Sequence, residues 1–254
     1  MIFKPKTERI SKLENKYSDR IQKLTSIFEN KTNIYIDYAN VKPWSNKLDW
    51  HIDVKRLKQF LDSFSHINEI KFYNGTLASN SSSIEFNQNI KLLGYKLVTK
   101  PVKIMRISID VSSISNNSPD ILKNFIRKPL LSKLKVETIE FLNNELNELN
   151  KNKIKHLEDL KCNFDVEISR DMLIDYEKND IETFVLWSGD SDFADPIKQL
   201  LRDKKRVYLF ATARRISFEL NELQKNGLFI YDIQKIKDFI CWKKELTIRK
   251  EDPK

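Results

Sequence analysis

The stretch Phe184-Val-Leu-Trp-Ser-Gly-Asp190-Ser-Asp192-Phe-Ala-Asp195-Pro decides the fold. A short apolar run ends in Ser188-Gly189, two carboxylates follow two residues apart, and a helical pattern then begins. That is how α/β proteins place acids at the carboxyl edge of a parallel sheet. Two carboxylates on one tight turn repel each other, so they sit together only beside a cation, a basic side chain or ample water. A divalent metal answers that need. The plainer reading makes Asp192 the cap of a helix over 193–203, with Asp195 favouring its positive end. Capping explains Asp192 and Asp195 better than it explains Asp190.

Working outward, composition bounds what such a turn belongs to. At 254 residues and 40% hydrophobic, the chain can bury an ordinary core, which excludes a disordered protein. An excess of 45 Lys and Arg over 36 Asp and Glu gives a net charge of +9 and supports a polyanionic partner such as nucleic acid. The N-terminus has no apolar leader, and no segment has the length to cross a bilayer, so a cytoplasmic protein is expected. Cys162, Cys241, His51, His66 and His156 show no zinc-ligand spacing, so a catalytic metal would be held by oxygen, pointing to Mg²⁺ or Mn²⁺. Four glycines leave no Gly-rich phosphate loop, and no nucleophilic Ser or Cys with a paired His is suggested.

In chain order, Ile10, Leu13, Tyr17, Ile21, Leu24 and Phe28 recur at helical steps and predict one amphipathic helix over 7–30, packed on the main domain. The compact strand Asn33-Ile-Tyr-Ile-Asp37-Tyr-Ala-Asn40-Val ends on an acid. Asp53 is read as the structural cap of the helix carrying Leu57, Phe60 and Phe64. Strands follow at 70–74 and 96–99, the second within a run extending to Ile104, and again at 183–187, 206–210 and 228–231. A hydroxyl-rich loop after Gly75 is read as plain turn chemistry, and Gly94 closes the helix beyond it. Arg214-Arg215 are expected to open a helix through Leu223, and a last helix is expected over 232–242. This alternation predicts an α/β fold, a mainly parallel sheet with helices on both faces, in which the strand ends at Asp37 and Asp190 share one edge.

Between 105 and 160 the alternation breaks down. Residues 106–111 alternate like an extra strand, and the segment 120–160 reads as helical, with Ile139, Leu142, Leu146 and Leu149 in a narrow stripe. The domain organisation is therefore an N-terminal helical extension over 1–31, a main domain over 32–104 and 161–242, an inserted, mainly helical arm over 105–160, and a frayed charged tail over 243–254. The arm offers a surface for a protein partner or for self-association. In Lys161-Cys-Asn-Phe-Asp165-Val-Glu-Ile-Ser-Arg-Asp171, residues six apart are rotated by roughly 240° on a helix. Asp165 and Asp171 then share a face only if the first precedes the helix, leaving open which is a ligand and which a cap or supporting group.

At these residues the sequence resembles the NYN family, a branch of the PIN-like nuclease superfamily. The resemblance rests on Tyr-Ile-Asp37-Tyr-Ala-Asn40-Val, on the Asp165 to Asp171 segment and on Trp-Ser-Gly-Asp190-Ser-Asp192-Phe-Ala-Asp-Pro, and covers about 33–104 and 161–240. It departs where Cys162 replaces a usual glycine and where the long arm replaces a short connection. The resemblance implies a metal-dependent ribonuclease with Asp37, Asp165, Asp190 and Asp192 around the metal, and Asn40, Asp171 and Ser188 supporting them. Hydrolysis by in-line water attack would leave a 5′-phosphate and a 3′-hydroxyl. Lys100, Lys103, Arg214 and Arg215 are candidates for gripping the RNA backbone. Two alternatives stand beside this: a non-catalytic RNA-binding or interaction module on the same fold, and a Toprim-like enzyme, whose expected glutamate after the first strand is Asp37 here.

Overall fold

The apolar runs between the acids form strands buried on both faces. Every residue of Thr32–Asp37 and of Thr183–Trp187 is buried. Such double burial is what near-continuous apolar strands of a parallel sheet require. In the computed structural model, which describes residues 1–212 and 215–248, the strands in chain order are β1 (Thr32–Asp37), β2 (Ile67–Tyr73), β3 (Lys96–Val98), β4 (Lys103–Ser108), β5 (His156–Lys161), β6 (Thr183–Trp187), β7 (Arg206–Ala211) and β8 (Phe229–Asp232). Six of them form one parallel sheet in the order β3-β2-β1-β6-β7-β8. The order reverses direction between β1 and β6, which lie side by side with Ile36 opposite Trp187. A reversal of this kind opens a crevice at the carboxyl ends of the two strands. Asp37 ends β1, and Asp190 follows β6 by three residues.

The chain divides into two compact units, residues 1–101 with the described residues from Asn163 onward, and residues 102–162. In the first, period-2 alternation sends Asn33 and Tyr35 to one face, where both bond Asp175 of the helix Asp165–Lys178. Ile34 and Ile36 face the other way. The helix Val54–Leu61 packs against Lys237–Ile240 through Phe60 and Phe239, with ring centroids 4.6 Å apart. Asp53 caps that helix as the sequence predicts, accepting from the N–H groups of Lys55 and Arg56.

The N-terminal segment is two helices rather than one, Glu8–Lys16 and Ser18–Ile27. They break at Tyr17, whose hydroxyl donates to Asp238 at 2.5 Å and whose ring carries the Arg20 guanidinium at 4.1 Å. Anchoring this side chain costs the helix one residue of regular backbone. The segment joins the core through Phe28, 4.7 Å from Phe64. At the other end, the single helix expected over 232–242 is a 3₁₀ turn, Ile233–Ile236, followed by Lys237–Ile240. Lys243–Ile248 of the expected frayed tail is helical. The helix expected to open at Arg214-Arg215 falls in part outside the described residues; among those described an α-helix spans Phe218–Glu222, where Ser217 supplies the cap by accepting from the Leu220 N–H.

The second unit corrects the reading of 120–160 as wholly helical. Its helix Val136–Lys151 is followed by β5, which pairs antiparallel with β4. Both strands are largely exposed, so alternation of polar and apolar residues gave no buried face to read. The expected third strand stops at Val98, with Pro101 beyond it only in an isolated bridge to Thr76, and Ile104 belongs to β4. The stripe on Val136–Lys151 is spent inside this unit: Ile139, Leu142 and Leu146 pack with Leu122, Ile126, Leu131 and Leu134, whereas Leu149 is exposed.

Candidate metal centre

Three chain segments bring carboxylates to the carboxyl edge of β1 and β6. Asp37 is buried at the end of β1, where its carboxylate accepts from the Asn40 N–H and from the Ser188 hydroxyl, both at 3.3 Å. The Asn40 side-chain oxygen in turn accepts from the Gly189 N–H at 3.2 Å, and Ser188 Oγ accepts from the Asp190 N–H at 3.3 Å. The end of β1 and the turn after β6 are thus tied by reciprocal bonds. Asp190, not Asp192, caps the next turn: it accepts from the Asp192 N–H at 3.2 Å and precedes the 3₁₀ turn Ser191–Phe193. The plainer reading of Asp192 as the cap is therefore overturned, and its side chain is left without that structural duty. Asp195 lies in the first turn of the helix Ala194–Arg202, as a helix-start acid should.

Carboxylate oxygens of Asp165, Asp190 and Asp192 lie within 4.8 Å of one another. Asp165 is the first residue of its helix and is held by the Asn163 side-chain amide at 2.7 Å. Asp171, six residues on, is engaged elsewhere, accepting from the Tyr73 hydroxyl at 2.9 Å and pairing with Arg170. Between the two acids left open by their spacing, Asp165 is the one in the cluster. Burial, then the charges of Asp190 and Asp192, push the Asp165 carboxyl up from its ordinary range. Asp37 stands behind this group. Burial pushes its carboxyl up to about 6, the Asn40 N–H opposes that, and the charges of Asp165 and Asp190 add to it. Acids arranged to raise one another's pKa at the switch point of a sheet are short of positive charge. A hard divalent cation fits this donor set, which is all carboxylate oxygen.

The basic residues are placed less simply. Lys100 lies near the cluster, where its charge favours ionised Asp165, but its ammonium bonds Glu167 at 2.5 Å and stands over the Phe164 ring. Lys103 is an exposed residue of β4 in the second unit. Arg215 is exposed, and Arg214 lies outside the described residues.

Gly189, between the strand and the acidic turn, admits no side chain. A Cβ built there would lie 1.7 Å from the Arg215 carbonyl oxygen, and the Ser217 N–H donates to the Gly189 carbonyl at 3.0 Å. Backbone meets backbone, so nothing flexible can yield. Gly189→Ala is expected to lose about 2 kcal/mol of stability or more by overpacking and to displace Asp190, read as a lower urea midpoint with an unchanged slope.

Residues 128–230 match the model of the NYN domain. The chain carries an NYN domain. The match includes Asp165, Asp190 and Asp192 but begins within the second unit and leaves β1 outside, so Asp37 and Asn40 enter the site on geometry alone. NYN domains are placed among the PIN-like nucleases. A crystal structure of a protein of unknown function from Vibrio parahaemolyticus RIMD 2210633 is similar in fold, with a TM-score of 0.50 at 15% identity over 84% of this chain and 96% of that one. No curated protein matches the chain. The NYN domain's acidic turn is therefore understood from its own geometry.

Proposed function

We propose that this NYN domain is a Mg²⁺- or Mn²⁺-dependent endoribonuclease that hydrolyses RNA phosphodiester bonds. The observation that carries the reading is the convergence of Asp165, Asp190 and Asp192 within 4.8 Å, from two separate segments, beside the buried Asp37 of a third. A bound divalent cation supplies charge for the phosphate and an activated water. The chain's own residues hold it: Asp165, Asp190 and Asp192 are the direct carboxylates, and Asp37 supports them with negative charge from within. Asn40 and Ser188 fix the turn, so the acids are placed before any ligand arrives. The positive excess of the chain favours a polyanionic substrate, gripped through phosphates by exposed residues such as Arg215 and Lys103 together with Arg214, while Lys100 holds Glu167 beside the site. No described helix is long and apolar enough to cross a membrane, in keeping with a cytoplasmic enzyme. The test is cleavage of end-labelled single-stranded RNA by the full chain with Mg²⁺, with Mn²⁺ and with EDTA. Cleavage with either metal and none in EDTA supports the reading. Cleavage that persists in EDTA refutes it, and tight binding without cleavage moves the assignment to a non-catalytic RNA-binding module.

The buried acid also sets a pH dependence in metal-free protein. The folded pKa of Asp37, about 6, lies above the ordinary carboxylate value, so the folded state keeps its proton longer than the unfolded chain does. Stability in EDTA should therefore fall as pH rises from about 4 to about 6, with the full cost present above that window. Asp37→Asn removes the charge. At pH 7.5 it should be more stable than the wild type by about 2 kcal/mol, with the gap closing below pH 4. Urea denaturation of both proteins at the two pH values measures it.

A further inference from the structure

We propose that Phe218 and the cavity beside it form a nucleobase-stacking subsite for single-stranded RNA next to the carboxylate cluster. The inference rests on the ribonuclease reading for its substrate class, and adds where the strand is held and by what contact. Phe218 is 74% exposed. A single exposed phenylalanine is ordinary and by itself carries nothing. Its place is what matters. It follows Ser217, whose N–H is bonded to the Gly189 carbonyl in the acidic turn at 3.0 Å. The helix it begins, Phe218–Glu222, packs against the turn Ser191–Phe193 that carries Asp192. The Phe218 backbone is therefore fixed to the same loop that presents Asp190 and Asp192, while its ring stands in solvent.

A cavity of about 530 Å³ opens beside the ring, within the range that holds a small ligand. Ile216 and Ile230 extend its apolar side, and Asn221, Gln224, Asp232 and Lys235 supply the polar one. Asn221 and Gln224 are joined by a 2.7 Å amide hydrogen bond. An aromatic face bordered by amides and an ammonium suits an unstacked base with its phosphate: the ring takes the π-face, the amides meet the base edge and the lysine meets the charge. Asp232 is occupied in part, accepting from the Gln234 N–H at 3.0 Å. A duplex keeps its bases stacked on one another, so this contact selects single strands.

The test measures binding, so that it stands apart from cleavage. In the full chain carrying Asp190→Asn, the affinity for a fluorescent ten-nucleotide RNA is compared with that of the same protein also carrying Phe218→Ala or Phe218→Trp. A set of RNAs with one abasic position each is titrated in parallel. Phe218→Ala should weaken binding about 5- to 100-fold, Phe218→Trp should retain it, and one abasic position should weaken the Phe218 protein but not the Ala variant. Equal affinity of the Phe218 and Ala proteins, equal losses at every abasic position in both, or no RNA binding by either overturns the subsite. Wild-type cleavage in Mg²⁺ with no effect of Phe218 would leave the nuclease reading standing without it. Phe218-dependent binding by a chain that never cleaves would do the reverse.

Discussion

Asp190→Asn is expected to reduce metal-dependent RNA cleavage roughly 100-fold or more while leaving the fold intact. Asparagine keeps the shape of the side chain and can still accept from the Asp192 N–H as a cap, so the local turn survives. What it loses is one of the three converging charges. A metal's contribution of several kcal/mol to the transition state is thereby weakened, and each 1.36 kcal/mol is about tenfold in rate. Because Asp190 raises the carboxyls of both Asp37 and Asp165, neutralising it relieves repulsion, and thermal stability in EDTA should stay level or rise. A residue present only as a cap would leave both stability and cleavage rate nearly unchanged, because asparagine caps about as well as aspartate. RNA affinity should largely persist, since no basic residue is touched. The wild type and variant are compared by initial rates with Mg²⁺ and by melting in EDTA. A variant that cleaves at the wild-type rate removes Asp190 from the metal centre.

Much of this arrangement was legible in the sequence because it is written in local patterns. Strand ends read from Asp37 and Asp190 come together at one sheet edge because both strands are short, apolar and run in parallel. The parallel sense of the sheet follows from strands alternating with helices. The inserted segment was harder. Residues 156–161 form a strand exposed along its length, so no face of it is apolar and only pairing with 103–108 distinguishes it from a charged helix. Gly189 was missed for a different reason: its constraint is a carbonyl 26 residues away, which no local pattern encodes. Lys71 did leave a trace. A lysine in the middle of Glu69-Ile-Lys-Phe-Tyr, on a strand that must be covered, signals a buried partner, and the sequence does not say that the partner is Asp175.

Lys71→Met should cost about 3 kcal/mol of stability, among the largest losses expected from a single substitution in this chain. The side chains of Lys71 and Asp175 are 5% and 1% exposed and meet at 2.7 Å. Asp175 also accepts from Asn33 at 2.7 Å, from Asn179 at 2.8 Å and from the Tyr35 hydroxyl. Burial raises the Asp175 carboxyl, but the bonds from Lys71, Tyr35, Asn33 and Asn179 outweigh it and hold it below the ordinary range. Removing the ammonium leaves a buried carboxylate with neutral donors alone, whereas removing both charges does not. Lys71→Met combined with Asp175→Leu should therefore recover a substantial part of the loss, and urea denaturation of the two single variants and the pair measures the coupling. The same network links β1 and β2 to the helix whose first residue is Asp165, roughly 15 Å along its axis from Asp175. A loosened helix end moves a carboxylate that must lie within 4.8 Å of two others. Lys71→Met should thus also weaken Mn²⁺ binding, read by paramagnetic relaxation of water, in protein still folded at low temperature. If Mn²⁺ affinity is unchanged while stability falls, the network holds the fold together without positioning Asp165.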